Sequence, residues 1–201
     1  MKLQFDSVFF TYPGGVEALR DLKLTIDQGE RVALVGENGA GKTTLAKHMN
    51  GLLRPTQGRV RMDGEDIHRK TVAQLARRVG YAFQNPDEQL FNNTVVAEVE
   101  FGPKNLGSSG PELEASVRSA LEVVNLQDKA SHHPYDLLPS ERKLLGIASI
   151  LAMNTPLLVL DEPTMGLDLS GVECVTNVLH RCIERGKTVI LISHDLDFCA
   201  E

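Results

Sequence analysis

No stretch of this 201-residue sequence approaches the ~18 consecutive apolar residues of a membrane span. The opening "MKLQFDSVFF" also lacks the long apolar core of a secretory signal. The expectation is a soluble chain, free to dock onto a membrane protein. Excess positive charge is missing too: Lys and Arg number 21 against 27 Asp and Glu, a formal charge of −6. No global basic field therefore exists to attract nucleic acid or an anionic membrane surface. Cysteine is scarce and odd in number. Cys174, Cys182 and Cys199 show no CxxC or His-paired spacing, which argues against a disulfide framework or a zinc site and fits a reducing cytoplasm. Internal repeats and low-complexity tracts are absent as well, and only "GSSGP", residues 107–111, reads as a flexible connector. A hydrophobic content of 42% at this length supports one substantial core and not two. The reading is one domain, 1–201, with an inserted lobe.

What is present alternates in a recognisable order. "KLQFDSVFFTY" and "ALRDLKLTID" carry the period-2 pattern of two strands and predict a small antiparallel sheet. "RVALVG" is short and continuously apolar, the pattern of a strand buried on both faces, and "ENGAGKTTLAKHMNGLL" turns from glycines into a helix. "GRVRMDGEDI" predicts a further strand ending in an Asp63-Gly64 turn, and "VAQLARRVGYAFQ" a helix leading into a short strand. Residues 85–153 read mostly as helix and loop, with helices at Glu112–Val124, opened by Pro111, and about Ser140–Met153. Two buried strands follow, "LLVLDEP" and "TVILISHD". Between them lies a helix, Val172–Arg185, with Val172, Val175, Val178, Leu179, Cys182 and Ile183 on one face. Alternating strand and helix predicts an α/β fold with a parallel sheet covered on both faces.

The chemistry sits at the ends of these strands. "GENGAGKT", Gly36 to Thr43, satisfies the phosphate-loop pattern G-x-x-x-x-G-K-[ST] between a strand and a helix. A triphosphate needs many converging donors and almost no side-chain bulk. The backbone N–H groups of Gly36, Glu37, Asn38, Gly39, Ala40 and Gly41 supply them, with the positive end of the helix behind. Lys42 is placed to bridge the β and γ oxygens, Thr43 to ligate Mg²⁺, and Thr44 to reach the α-phosphate. In "LLVLDEPT", Asp161 ends an apolar strand and can hold Mg²⁺ through its water shell, while Glu162 can polarise an attacking water. An isolated Asp-Glu pair more often caps a helix or sits solvated in a loop; behind a phosphate loop the balance reverses. In "LISHD", His194 follows another buried strand and emerges at the same carboxyl edge, where it can meet the γ-phosphate or the water. The other five histidines, including the pair His132-His133, read as structural or surface residues. Gln84, in "YAFQNP", is a candidate contact for Mg²⁺ or the water.

Tyr12, "GENGAGKTTL", Gln84, "LLVLDEPTMGLD" and "ISHD" resemble, in order and spacing, the ATP-binding domains of ABC transporters. The resemblance spans essentially the entire chain. "FTYPGG" and "FQNPDEQLFNNTVVAEVEFGPKNLG" are most similar to the ATPase subunits of energy-coupling factor transporters, which import vitamins and transition-metal ions such as cobalt and nickel. The resemblance implies a P-loop NTPase core of mostly parallel sheet flanked by helices, an N-terminal antiparallel β-subdomain and an inserted helical subdomain at about 85–153. It implies ATP and Mg²⁺ as the bound species, Tyr12 stacking on adenine, and a peripheral place on the cytoplasmic face of the cell membrane. A tyrosine closing a strand more commonly packs on a core, so Tyr12 stands between these two roles.

In this family two ATPase domains pair head to tail, and each ATP lies between one phosphate loop and the partner's signature segment, typically L-S-G-G-Q. Here that segment falls on Leu137, Leu138, Pro139, Ser140 and Glu141, and four of its five positions depart from the pattern. Pro139 has no N–H, Leu138 removes a hydroxyl and Glu141 adds negative charge beside a phosphate. Ser140 is expected to cap the helix that follows. The resemblance thus implies a heterodimer with a second ATPase subunit bearing an intact signature, a transmembrane coupling subunit and a solute-binding membrane subunit, with Asp168 of "MGLD" connecting the two nucleotide sites. Family members continue beyond "SHDLDF" with further strands and helices, so the expectation is that the C-terminal part of the family domain is missing here, through truncation, a split gene or a disrupted protein. Two rivals remain: an ATP-gated regulatory subunit with little hydrolysis, and a repair or translation-factor ATPase, which would carry coiled-coil insertions or basic linkers. A P-loop kinase is disfavoured by Glu162 and His194, which suit water as the acceptor.

Overall fold

The computed structural model describes residues 1–200. Strands β1 (Leu3–Thr11), β2 (Glu17–Ile26), β4 (Gln57–Met62) and β5 (Glu65–Asp66) form an antiparallel sheet in the order β2-β1-β4-β5. Asp63 and Gly64, both with positive φ, make the two-residue turn between β4 and β5. Strands β3 (Arg31–Leu34), β6 (Val79–Ala82), β7 (Leu157–Asp161) and β8 (Thr188–Ile192) form a wholly parallel sheet in the order β3-β8-β7-β6. Helix α1 (Lys42–Met49) follows β3, and a single turn, α2 (Val72–Leu75), precedes β6. Thr71 and Gln74 close that turn by a reciprocal capping box. Between β6 and β7 lie α3 (Val95–Leu106), α4 (Gly110–Val123) and α5 (Pro139–Ala152); α6 (Leu169–Glu184) joins β7 to β8, and α7 (Leu196–Ala200) follows.

Period-2 alternation sorts the parallel sheet into two faces. Leu157, Val159, Ile190 and Ile192 face the antiparallel sheet and pack with Leu3, Phe5, Val8, Leu45 and Met49. Their neighbours Leu158, Leu160, Val189 and Leu191 face the other way, toward Leu145 and Ile147 of α5 and Val175, Val178 and Cys182 of α6. The central strands β7 and β8 are therefore buried at every position, as their continuous apolar runs predict.

Three local expectations are corrected. First, β3 is not buried on both faces: it lies at the edge of the described sheet, with alternate residues exposed. Second, α3 was not anticipated, because "VVAEVEFGPKNL" combines β-branched residues, Gly102 and Pro103 in one short run. Burial of Val95, Val99 and Pro103 at four-residue spacing and a Thr94 cap on Ala97 N–H (3.2 Å) hold it. A Cβ at Gly102 would sit 2.5 Å from the Met153 side chain after α5, so that side chain would have to shift to admit one. Third, Ser140 does not cap α5. The helix starts one residue earlier at Pro139, the cap position belongs to Leu138, and no side chain of that residue accepts a hydrogen bond.

Beneath α1, His48 is fully buried, edge-on to Phe10, and donates from Nδ1 to the Thr44 carbonyl at 2.7 Å. Its Nε2 has no partner; burial pushes its pKa down, the hydrogen bond to the Thr44 carbonyl pulls the other way, and the Arg54 charge also opposes protonation. A histidine depressed in the fold takes up its proton first in the unfolded chain, so stability falls as pH drops below the unfolded value of 6.5. The melting temperature is expected to drop between about pH 7.5 and about pH 5.5, and His48→Gln to flatten that dependence. A thermal melt series across that range, in both proteins, checks it.

Candidate active site

All strands of the parallel sheet run the same way, so whatever follows each one emerges at a single edge. The order β3-β8-β7-β6 lines up there the loop Gly36–Gly41, then His194, then Asp161 and Glu162, then Gln84. Four motifs scattered over some 160 residues of chain thereby form one row.

The loop residues Gly36 to Ala40 are exposed. Gly39 and Gly41 adopt φ of 84° and 86°, and at Gly41 a Cβ would lie 2.5 Å from the Ala18 carbonyl oxygen of β2. Only glycine allows the chain to turn this tightly into α1. Lys42 Nζ folds back over the loop and donates to the carbonyls of Gly36 (2.7 Å) and Glu37 (3.0 Å). Thr43 is half-buried on the first turn of α1, whereas Thr44 is buried and its hydroxyl shares a 2.9 Å hydrogen bond with the Tyr12 hydroxyl. The Tyr12 ring stands edge-on to Phe10 at 4.8 Å, partly packed against the core. Tyr12 thus fastens β1 to the second residue behind Lys42.

Asp161 ends β7 and is 2% exposed. One carboxylate oxygen, Oδ2, accepts from the Tyr81 hydroxyl at 2.8 Å; the other, Oδ1, is buried without a partner. Such an orphan oxygen is costly unless a cation or ordered water meets it. Its chemistry suits a cation. Burial, and then the Asp161 charge, push the Tyr81 phenol far above its ordinary value, so Tyr81 remains a donor.

Glu162 is the first residue past β7, buried, with φ at +48°. Its N–H donates to the Ile192 carbonyl at 2.8 Å, which extends the sheet by one bond. That unusual backbone turns the carboxylate toward β8, where Oε2 accepts from His194 Nδ1 at 2.8 Å. The imidazole itself is largely exposed.

The remaining candidates bond elsewhere. Gln84 is exposed, with its amide against Met165 Sδ at 3.8 Å. Asp168 caps α6, accepting from Gly171 N–H at 2.9 Å. At the start of α5, Leu137 is buried, Leu138 is exposed and Pro139 takes the first helical position. Glu141 curls back: its carboxylate accepts from Leu138 N–H at 3.1 Å and from Lys129. Burial opposes its charge, yet Lys129 and the Leu138 N–H hold its pKa below the ordinary value. The acidic group at this helix start is therefore already engaged by its own chain.

Two contributors escaped the sequence reading. Tyr81 looks like an ordinary core residue on an apolar strand; only the β6–β7 pairing brings it to Asp161. Gln89 donates to the Gly146 carbonyl (2.7 Å) and Ser149 Oγ (2.8 Å) of α5 while accepting from Phe83 N–H (3.3 Å). It ties the segment around Gln84 to the helices, and in the polar run "NPDEQ" nothing marks it out from its neighbours.

Comparison with known proteins places this geometry. The profile of the ABC transporter family matches residues 19–165. An energy-coupling factor transporter ATP-binding protein of Methanosphaera stadtmanae is 41% identical over 197 residues, 97% of this chain and 71% of that protein. Its namesake from Methanothermobacter thermautotrophicus is 40% identical over 201 residues, 99% of this chain and 65% of that protein. Among solved structures, CbiO1 of Clostridium perfringens, part of the ABC transporter complex CbiONQ, superposes with a TM-score of 0.83 at 34% identity, over 98% of this chain and 79% of that one. A dimeric ATP-binding cassette in a post-hydrolysis state with ADP and Pi gives 0.89 at 28% identity, over 98% and 90%. The two-sheet α/β architecture is thus that of an ATP-hydrolysing cassette, and the chain belongs to the ABC transporter family.

Proposed function

We propose that this chain is the ATP-hydrolysing subunit of an energy-coupling factor-type importer and works as one half of an asymmetric ATPase pair. The observation that carries this reading is an imbalance within one molecule. The hydrolytic row of Lys42, Asp161, Glu162 and His194 is complete, whereas the start of α5 offers a partner a proline, an exposed leucine and an already engaged glutamate. A second subunit with glycines at that position would complete the site on this chain's own phosphate loop.

In this scheme the loop N–H groups and Lys42 cradle the phosphates, and Glu162 orients a water in line with the γ-phosphorus. The water oxygen forms the new P–O bond, the bond to the β–γ bridging oxygen breaks, ADP carries away that electron pair, and Glu162 takes the proton. His194 holds the carboxylate in place. A Mg²⁺ held by Thr43, Gln84 and, through water, Asp161 would neutralise the charge that develops in the reaction.

The same reading assigns the membrane side. Phe91 is 61% exposed and meets Phe101 edge-on at 4.7 Å. With Leu52, Val72 and Phe83 they line a groove of about 240 Å³ beside Gln89. Exposed aromatics in a groove mark a protein contact. We assign it to the coupling subunit in the membrane, since the relatives named above are transporter subunits and Gln89 connects the groove to the segment carrying Gln84. Among the described residues no helix is long and apolar enough to cross a membrane.

Affinity purification of the tagged chain from its native membrane tests the proposal. A second ATPase with a glycine-rich signature and at least one membrane subunit should co-purify, and ATP turnover should require the complex. Vigorous turnover by the lone chain would refute obligatory pairing. A complex that binds ATP without turnover would favour the ATP-gated regulatory role suggested by Pro139 and Glu141.

A further inference from the structure

Lys143 is a buried lysine on the second turn of α5, and neither its motif context nor the reaction scheme above gives it a task. Its Nζ donates to the backbone carbonyl of Glu162 at 2.7 Å. Burial pushes its pKa below the ordinary lysine value, and the negative charges of Glu162 and Asp161 pull the other way. A buried ammonium is retained only where it is paired or hydrogen-bonded. Here it is spent on one carbonyl, that of the residue beside the orphan carboxylate of Asp161.

Glu162 needs such a hold. A glutamate at φ +48° occupies a backbone region that L-residues with side chains disfavour, and it persists only where the surroundings over-determine it. Four contacts bear on it, chief among them the N–H to Ile192, the carboxylate to His194 and the carbonyl from Lys143. The carbonyl's other donor, Met165 N–H at 3.3 Å, is longer and uncharged.

Resting on the proposed role of Glu162 as the base, we infer that Lys143 is a positioning residue that locks the Glu162 peptide so that its carboxylate points into the row of motifs. The lock comes from α5 and not from the sheet. Any displacement of α5, whose first residues occupy the position that faces the partner in this family, therefore changes the aim of this chain's own base.

The test uses the complex purified from the membrane with four versions of this chain: wild type, K143M, K143R and E162Q. K143M keeps the stem and deletes the charged donor. It should lower kcat about tenfold or more while KM for ATP stays within about twofold, because aim and not binding is lost. K143R restores a charged donor and should recover most of that loss. A K143M protein that melts like wild type and turns over at the wild-type rate would overturn the inference; so would a loss that K143R does not relieve. Should K143M fail to accumulate, K143Q, which is too short to span to the carbonyl, carries the same expectation and the same refutation. E162Q separates the two levels of argument. With E162Q inactive and K143M fully active, only the lock is wrong; with E162Q fully active, the role of Glu162 falls and the lock with it.

Discussion

Glu162→Gln is expected to cut ATP turnover by at least about 100-fold while leaving nucleotide binding intact, the loss typical of a missing general base. The exchange is nearly isosteric, and the geometry explains why binding survives. The amide oxygen can still accept from His194 Nδ1 at the place now held by Oε2, and the backbone bonds to Ile192 and Lys143 do not involve the side chain. What disappears is the negative charge that accepts the water's proton. Removing one buried charge also relieves a desolvation cost, so the variant should melt no lower than the wild type. With ATP unspent, the two domains should remain associated. Phosphate release and size-exclusion chromatography in Mg-ATP read the two halves of the prediction. Turnover at the wild-type rate would remove Glu162 from the mechanism.

Lys42→Ala should fail one step earlier. The Lys42 ammonium is half-exposed and bonds only to two carbonyls of its own loop, so the fold does not depend on it and the melting temperature should change little. A charge-assisted hydrogen bond to phosphate is worth about 1.5–3 kcal/mol, so ATP affinity should weaken on the order of 10- to 100-fold, and turnover should vanish with it. Calorimetric titration of Mg-ATP into each variant distinguishes them: Glu162→Gln binds and does not cleave, Lys42→Ala binds poorly. Unchanged affinity in Lys42→Ala would contradict the assignment of the loop as the phosphate cradle.

The contrast between these residues and Tyr81 or Lys143 shows where the sequence was readable. The phosphate loop is legible because one small ligand must be met by consecutive backbone groups, which packs the constraint into eight adjacent residues. Strands β7 and β8 are legible because burial on both faces leaves an uninterrupted apolar run. Asp161 and Glu162 are legible because each directly follows such a run. Helix α3 was not, since its own residues favour a helix only weakly and neighbours supply the rest through Glu98, whose buried carboxylate accepts from the Phe91 and Asn92 N–H groups at 3.0 and 2.8 Å. Ser140 was misplaced for a related reason: cap preference ranks residues, but the proline at 139 had already set where the helix begins. The edge position of β3 was equally hidden, because an apolar run does not tell which neighbours a strand will have.

The amino-acid order by itself supplied the motifs on which the proposed chemistry rests: a glycine loop with Lys42 and Thr43, a strand-end Asp161-Glu162 and a strand-end His194. These depend on contacts within a few residues of one another. Tertiary structure alone decided that β8 lies between β3 and β7, bringing His194 to Glu162, that Tyr81 takes one oxygen of Asp161 and leaves the other bare, and that a lysine of α5 grips the Glu162 carbonyl. Those partners are 32, 80 and 19 residues apart in sequence. Hydrogen bonds over such separations follow from strand order and helix packing, which the burial of the whole core selects together and no single segment encodes.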